Sequence, residues 1–243
     1  MDNQFLYINS ADLLQGNSSD FLIDLQDIDL SAQRTAIGIQ SIIFPNVYYN
    51  VNEFNNNIAI NVSGVDYTFT LTPGNYSITD FTGAFNADIS SVVGEQIRIT
   101  QDSITGKFVY TAATTDFTIN VSKKQKYLGL SEGIHSSSSL VLSGDTIPDF
   151  SGTNFYDILL DNIGLFSVNT AGYNRNILTR IYNDKSFGEY INNPLSFFTQ
   201  IKIYENTKFN IPVRISVVDE NNDPVDLKGL NWSITLFFSD QYS

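Results

Sequence analysis

The chain of 243 residues contains no cysteine and a single histidine, His135. These absences exclude a cysteine nucleophile, a CxxC redox pair and a Cys/His zinc site. A Ser-His-Asp triad would have to use His135, which lies in a polar tract, and the sequence has no GxSxG motif. We therefore predict an exposed loop histidine, no enzyme, no cofactor, and no catalytic, cofactor-binding or metal-binding residues.

Positive charge and long apolar runs are also scarce. The sequence has 13 Lys and Arg residues but 26 Asp and Glu residues, which gives a net charge of −13. A phosphate backbone would be repelled, so we expect no direct binding to nucleic acid. No apolar stretch approaches the ~18 residues of a spanning helix, so we expect no membrane span. The N-terminus also lacks the basic and apolar regions of a signal peptide.

The dominant pattern in the sequence is the alternation of apolar and polar residues. In the predicted strand 35–44, Ile37, Ile39 and Ile43 are expected to share one buried face. The last predicted strand begins at Trp232. Apolar residues follow at every second position, so they share one face of the strand with Trp232. Strands recur at the spacing of about 8–12 residues that is typical of sandwiches and jelly rolls. The sequence therefore predicts a mainly β fold.

One segment breaks this β pattern. Thr79 or Asp80 is predicted to cap a helix that runs to about Ser91. Its apolar stripe recurs at helical spacing and consists of Phe81, Ala84, Phe85 and Ile89. Residues 55–135 therefore indicate a small α+β unit, in which hairpins pack on one helix.

An acidic turn at 219–226 leaves a calcium site as one alternative, because it offers oxygen ligands at alternate positions. However, Pro224 and Leu230 stand where a calcium loop has its Gly and its bidentate Glu. A hairpin turn between strands 213–218 and 232–238 explains the same residues.

A glycoside hydrolase is a second alternative, because Asp and Glu are plentiful enough to supply a pair of carboxylates. Such a pair would need a groove, and the aromatic residues could line one. Solvated strand ends and turns are the ordinary explanation for most of the Asp residues, namely Asp20, Asp24, Asp27, Asp29, Asp102 and Asp145.

Several segments, taken in order, share a pattern with a known family. The opening FLYINS of residues 5–10, followed by SDFLIDL at 19–25, resembles "LYLxSxDR…DFxIxL". Residues 39–51 are similar to "xxSxxIPNTxYNI", and residues 72–78 to "PPGNYTI". Residues 213–219, followed by residues 227–236, resemble the closing "DxxGxxxxxxGxxWSxTLxF" hairpin. The chain thus resembles the minor capsid or penton-type proteins of virophages and polinton-like viruses. It departs from the family at Leu13, which replaces Arg, and at Phe44, which replaces Ile.

The resemblance implies a viral structural protein of the virion. Such a penton subunit forms homopentamers that close the five-fold vertices of an icosahedral capsid and contacts the major capsid protein. It is assembled inside the infected host cell, and a host surface receptor is a further candidate partner. The implied fold is a single jelly-roll β-sandwich of residues 1–54 and 136–243, with residues 55–135 inserted as the α+β domain.

Long irregular stretches supply an alternative function. They are rich in Asn, Gly and Tyr, and they cover residues 145–156, 168–176 and 184–194. Loops of this length are typical of surfaces that meet partners. The aromatic loop 149–156 therefore leaves a receptor- or glycan-binding β-module of a virion appendage as the alternative to a penton.

Net charge also predicts how copies of the chain respond to salt. Because repulsion between acidic copies is screened by ions, association should strengthen as salt rises. The opposite result would point to opposite-charge pairs across the contact. In that case the interface candidates are the scarce basic residues Arg34, Arg175, Arg180, Lys185 and Arg214.

Overall fold

The computed structural model describes residues 4–24, 36–161, 176–194, 200–202 and 212–239. The chain divides into two compact units. The terminal unit comprises Met1–Tyr48 and Thr153–Ser243, and the central unit comprises Tyr49–Gly152.

The described elements are 17 strands, one α-helix and a 3-10 turn at Lys126–Leu128. The terminal unit begins with β1 (Gln4–Asn9), β2 (Gln15–Asn17), β3 (Asp20–Ile23) and β4 (Ala36–Pro45). The central unit follows with β5 (Asn57–Val62), β6 (Val65–Thr70), α1 (Ile78–Val93), β7 (Ile97–Gln101), β8 (Phe108–Ala112), β9 (Phe117–Val121), β10 (Gly133–Ser136) and β11 (Val141–Ser143). The terminal unit then resumes with β12 (Phe155–Asp161), β13 (Ile177–Tyr182), β14 (Tyr190–Pro194), β15 (Gln200–Lys202), β16 (Val213–Asp219) and β17 (Ser233–Ser239).

The terminal unit contains two antiparallel sheets. Sheet I has the strand order β1-β17-β4-β14, with β15 also paired to β4. Sheet II has the order β13-β12-β16-β3-β2. Buried side chains of both sheets form one apolar core, so the unit is a β-sandwich. The predicted mainly β fold is thereby confirmed.

Strand β4 differs from its predicted alternation. Ile37 and Ile39 are buried as expected, but Ile43 lies on the outer face with 44% of its surface exposed. The cause is a register shift against β17, where Ser41 pairs with Thr235 and Ile39 with Leu236, so Gln40 is an extra residue. Such a bulge exchanges the faces of the residues that follow it.

The connection after β16 also differs from the prediction. Residues 213–219 and 233–239 lie in different sheets, so no hairpin joins them. The acidic turn instead folds back on β16, with a bridge between Val218 and Pro224. Trp232 precedes β17 but is buried as predicted, with 3% exposed. Its indole Nε1 donates to the carbonyl of Ser18 at 2.6 Å.

Two antiparallel sheets and α1 build the central unit. Their strand orders are β10-β9-β5-β6 for sheet III and β11-β8-β7 for sheet IV. The helix buries one stripe at helical spacing, which consists of Phe81, Phe85, Ile89 and Val93. Its cap was predicted at the wrong residue. Ser77 caps α1 because its hydroxyl accepts from the backbone N–H of Asp80 while the Asp80 carboxylate accepts from that of Ser77.

The limits of the central unit differ from the predicted 55–135. At the start, Val51 forms a backbone bridge with Gly74. At the end, β11 pairs with β8. Both pairings bind residues outside 55–135 to the central core, which moves the boundaries to 49 and 152.

Candidate assembly surfaces

The acidic turn at 219–226 directs its carboxylates to partners within the chain. Oδ1 of Asp219 accepts from the backbone N–H groups of Asn221 and Asp223, both at 2.8 Å. Burial raises the pKa of this carboxyl. The Asp226 carboxylate accepts from Lys228 Nζ at 2.6 Å. In the part of the chain that is described, no group of three or more His, Cys, Asp or Glu side chains is arranged to hold a metal ion.

His135 lies on β10 rather than in a loop, close to a serine and an aspartate. Its Nε2 is 2.8 Å from the carbonyl oxygen of Ser131. The Ser131 hydroxyl donates to the Asp145 carboxylate, and this hydrogen bond lowers the pKa of Asp145. In a triad the imidazole must accept the serine proton. Here the aspartate accepts it, so the three residues do not have triad geometry.

Several carboxylates considered for a hydrolase have structural partners. Hydrogen bonds from Arg214 lower the pKa of Asp20. Asp102 begins the turn between β7 and β8. Its pKa is lowered most by the hydrogen bond from the backbone N–H of Thr105, and also by those from the Thr105 hydroxyl and the N–H of Ile104. A general acid needs a raised pKa instead. Asp27 and Asp29 lie outside the described residues.

The outer face of sheet II carries charges that are already paired. Arg180 binds Asp157 through two hydrogen bonds of 2.7 and 2.9 Å. Its guanidinium carbon also lies 3.6 Å from the centroid of the Phe155 ring. Arg214 binds Asp20 in the same bidentate way, at 2.7 and 2.6 Å. Both arginines therefore have partners within their own chain.

Of the three remaining basic candidates, the structure describes one. Lys185 is 3.6 Å from the carboxylate of its neighbour Asp184. Arg34 and Arg175 lie outside the described residues.

The outer face of sheet I has a different chemistry. Its rows follow the register and read Phe5–Phe237–Gly38, then Tyr7–Thr235–Ser41, then Asn9–Ser233–Ile43–Asn192. None of the residues in these three rows is charged, and the described row beside them, Ser239–Ala36–Lys202, contains one lysine. Tyr7 is 76% exposed, and Phe5 and Ile43 are each 44% exposed. The sequence signal that could have revealed this face is the run Ile42-Ile43-Phe44, which breaks the alternation.

Asn46 of the Pro45-Asn46 motif organises the segment that leads into β14. Its side-chain amide donates to the Lys185 carbonyl at 2.7 Å. Its backbone N–H donates to the Glu189 carbonyl, and its carbonyl accepts from Gly188. The Tyr156 hydroxyl donates to its Oδ1 at 2.8 Å. Sequence reasoning missed this role because the partners lie over 100 residues away.

A second buried asparagine holds the two ends of the central unit together. The Nδ2 of Asn50 donates to the carbonyls of Tyr76 and Phe150, at 2.8 and 2.9 Å. Its Oδ1 accepts from the Tyr76 N–H at 2.9 Å. Irregular backbone in a core needs such partners, since unpaired buried groups are costly. We call this arrangement the Asn50 clamp.

The three aromatic residues of the loop at 149–156 lie in different environments. In the central unit, Phe150 contacts the rings of Phe81, Phe108 and Tyr127. In the terminal unit, Tyr156 is 1% exposed. Phe155 of the same loop lies on the outer face of sheet II, with the Arg180 guanidinium over its ring. The receptor- or glycan-binding alternative stays an untested prediction.

A two-sheet antiparallel β-sandwich with an α+β unit in its chain is thus the class of protein that the fold defines. No family model matches the sequence, and no curated protein matches it. Among solved structures, the chain is similar to the selenomethionine-labelled penton protein of mavirus, a virophage. The identity is 11% and the TM-score 0.47, and the match covers 97% of this chain and 99% of that chain. At this level of similarity we base the function on this chain's own residues.

Among the described residues, no helix has the length and apolar character needed to cross a membrane.

Proposed function

We propose that this chain is a non-enzymatic structural protein of a viral capsid. In this proposal it is a penton subunit that forms homopentamers, closes the five-fold vertices of an icosahedral shell and contacts the major capsid protein. It belongs to the virion and is assembled in the infected cell.

The observation that carries the proposal is where the family-like segments lie. The opening segments form β1 and β3, the closing segment contains β16 and the start of β17, and the segment 39–51 contains the end of β4. In sheet I these strands are neighbours in the order β1-β17-β4, and in sheet II β16 and β3 are neighbours. The opening and closing segments also meet beyond the strands, since the backbone N–H of Ser10 donates to the Trp232 carbonyl at 2.9 Å. Chance matches would not be expected to fall on neighbouring strands of both sheets.

Strand order supports the single jelly roll within this proposal. A jelly roll has eight strands in two sheets joined by Greek-key connections, so that most successive strands cross from one sheet to the other. The sheet I order β1-β17-β4-β14 and the sheet II order β3-β16-β12-β13 match that arrangement. The central unit then replaces the connection between the third and fourth of these strands, β4 and β12.

The mass of the purified assembly tests the proposal. We would measure native mass and sedimentation at low and high salt, alone and with the major capsid protein present. The expected particle contains five copies, and its population should grow with salt because like-charge repulsion is screened over about 10 Å at 0.1 M. A strict monomer under all these conditions would contradict the proposal.

The salt series also identifies the kind of contact. If oligomers dissociate as salt rises, opposite-charge pairs hold the copies together. Arg180 and Arg214 already bind Asp157 and Asp20 within the chain, so we expect association to strengthen instead.

A further inference from the structure

We propose that the outer face of sheet I is the surface through which one copy of this chain contacts a neighbouring copy. This inference rests on the proposed function, because it assigns the ring its contact surface. The face is defined by the rows of Phe5, Tyr7 and Asn9 on β1, of Thr235 and Ser233 on β17, and of Ser41 and Ile43 on β4.

Exposure of large apolar side chains is the first observation. Tyr7 is 76% exposed, and Phe5 and Ile43 are both 44% exposed, whereas Thr235 and Phe237 on β17 between them are buried. The exposed apolar surface of this face therefore lies along β1 and near the end of β4. Aromatic residues are enriched at interface centres, where they bury a large area at little entropic cost. These three side chains therefore give the face the composition of a contact surface.

The distribution of charge indicates which partner binds this face. A chain with a net charge of −13 repels a second copy over most of its surface. On the outer face of sheet I, the three rows that define it contain no charged residue, and the described row beside them, Ser239–Ala36–Lys202, adds a lysine and no carboxylate. Two acidic copies can approach through this face without bringing carboxylates together. A second copy is thus the partner that the charge pattern favours.

The outer face of sheet II is a poorer candidate for the same contact. It carries the bidentate pairs of Arg180 with Asp157 and of Arg214 with Asp20. A contact there would have to remove these charges from water, and the desolvation cost offsets what the pairs gain. The comparison between the two sheets therefore assigns the copy contact to sheet I.

Contacts between neighbouring strands hold several side chains of this face in place. The Ser41 hydroxyl donates to the Thr235 hydroxyl at 3.1 Å. The Phe237 ring lies directly over Gly38, where a β-carbon would come within 2.2 Å of the ring. A glycine at this position is what allows the ring to lie against the strand. These residues are therefore already ordered, and the side chains that a contact would still have to order are the exposed Tyr7, Phe5 and Ile43.

The symmetry of a ring determines the design of the test. A five-membered ring joins two different patches, so Tyr7 of one copy does not meet Tyr7 of the next. A disulfide between identical positions would therefore fail even if the inference is right. Because the chain has no cysteine, a single introduced cysteine can instead carry a photo-reactive benzophenone maleimide.

The experiment compares Tyr7→Cys with Tyr182→Cys in the full chain. Tyr182 is a matched control, because it is a tyrosine with 65% exposure on the outer face of sheet II. Both labelled proteins would be irradiated at high salt, and covalent oligomers would be counted by denaturing gel and mapped by mass spectrometry. We expect a ladder of crosslinked copies from position 7 and at most background from position 182.

Charge variants give a second readout. Tyr7→Asp should raise the dissociation constant between copies by about tenfold or more, measured by sedimentation, while Tyr182→Asp should not. The unfolding midpoint of both variants should equal that of the wild type, because both side chains are exposed.

The outcomes separate the two proposals. If the wild type contains five copies but Tyr7→Asp does not weaken it, or crosslinks arise from position 182 as often as from position 7, the inference about sheet I is overturned and the penton function stands. If the wild type is a monomer at high salt and with the major capsid protein, and position 7 gives no crosslinks, both are overturned.

Discussion

The two compact units of this chain fill their cores in different ways. The central unit packs aromatic rings around one helix, and Phe81 alone contacts Phe85, Phe108, Tyr127 and Phe150. The terminal unit has no helix among its described residues, and its core lies between two sheets whose neighbouring strands come from opposite ends of the chain.

This difference teaches how each unit is specified. The core of the central unit is assembled from residues within a span of about 100 positions, around a helix with its own capping box. The terminal unit depends on pairing β1 with β17, which requires closing a loop of more than 200 residues. Local contacts form with less loss of entropy, so the central unit should be the more autonomous of the two.

The largest expected effect is a difference in folding between two isolated fragments of the central unit. A fragment of residues 49–152 should fold alone, because the Asn50 clamp joins its ends and β11 completes sheet IV. A fragment of residues 55–135 lacks both features and should be largely unfolded. Circular dichroism and amide hydrogen exchange would measure the difference. An unfolded 49–152 fragment would show that its core depends on the terminal unit.

Trp232→Ala should have the next largest effect, and only on the terminal unit. The ring is 3% exposed and packs edge-on against Phe21 and Phe44. We expect a loss of about 3–5 kcal/mol in the free energy of unfolding. Hydrogen exchange should speed up in β17 and β4 and not in α1. Tyr182→Ala, at an exposed site, is the control and should change little; equal loss of protection in α1 would refute the separation of the two cores.

Asn50→Ala should produce a smaller loss, confined to the central unit. The substitution leaves the Phe150 carbonyl and both backbone polar groups of Tyr76 without this partner, which costs roughly 1–3 kcal/mol. Asn57→Ala is the matched control, because Asn57 is exposed on β5 and its side-chain Oδ1 accepts from the Thr70 hydroxyl, which is a surface contact. Chemical denaturation of the 49–152 fragment would compare them. Equal midpoints for the two variants would contradict the clamp.

The smallest effect is a difference in pH response between the units. In the central unit, the Thr114 hydroxyl and the backbone N–H groups of Thr114 and Ala113 lower the pKa of Glu95 below its ordinary 4.5. Its contribution to stability is therefore complete above that value and is lost as pH falls through the lowered pKa. In the terminal unit, burial raises the pKa of Asp219 above its ordinary 3.8. Its contribution is complete below that value and is lost as pH rises through the raised pKa.

Two substitutions test these opposite dependences of stability on pH. Glu95→Gln should remove part of the loss of stability that the central unit suffers on acidification below about pH 4.5. Asp219→Asn should remove part of the gain that the terminal unit makes as pH falls from neutral toward 3.8. Hydrogen exchange of each unit over this range gives the slopes. Slopes unchanged by both substitutions would show that other groups dominate.

Local patterns in the sequence were sufficient for much of the fold. The stripe of Phe81, Phe85 and Ile89 identified α1, because helical spacing is encoded within a few turns. The cap was misplaced by two residues or more, because Ser77, Thr79 and Asp80 are all good caps and only the reciprocal bonds of Ser77 and Asp80 distinguish them. The burial of Trp232 followed from the alternation of apolar residues after it.

Other features could not be derived from local patterns. The bulge at Gln40 arises from the register of β4 against β17, almost 200 residues away, and it places Ile43 on the outer face. The chain crosses from β16 in sheet II to β17 in sheet I. Two strands joined by such a crossing show the same alternation of apolar and polar residues as two strands of a hairpin, so the sequence does not distinguish the two connections. The amide partners of Asn46 and Asn50 are backbone carbonyls, which leave no trace in residue identity.

By itself, the sequence determined the β-rich class, the helix, the acidic charge and the absence of cysteine. These properties depend on composition and on periods of two and 3.6 residues, which any short window reveals. Only the tertiary structure decided where the units begin and end, which carboxylates and arginines are paired, and which apolar side chains remain exposed on sheet I. Those properties depend on which distant strands become neighbours, because strand pairing is chosen by the packing of the whole core rather than by any one strand.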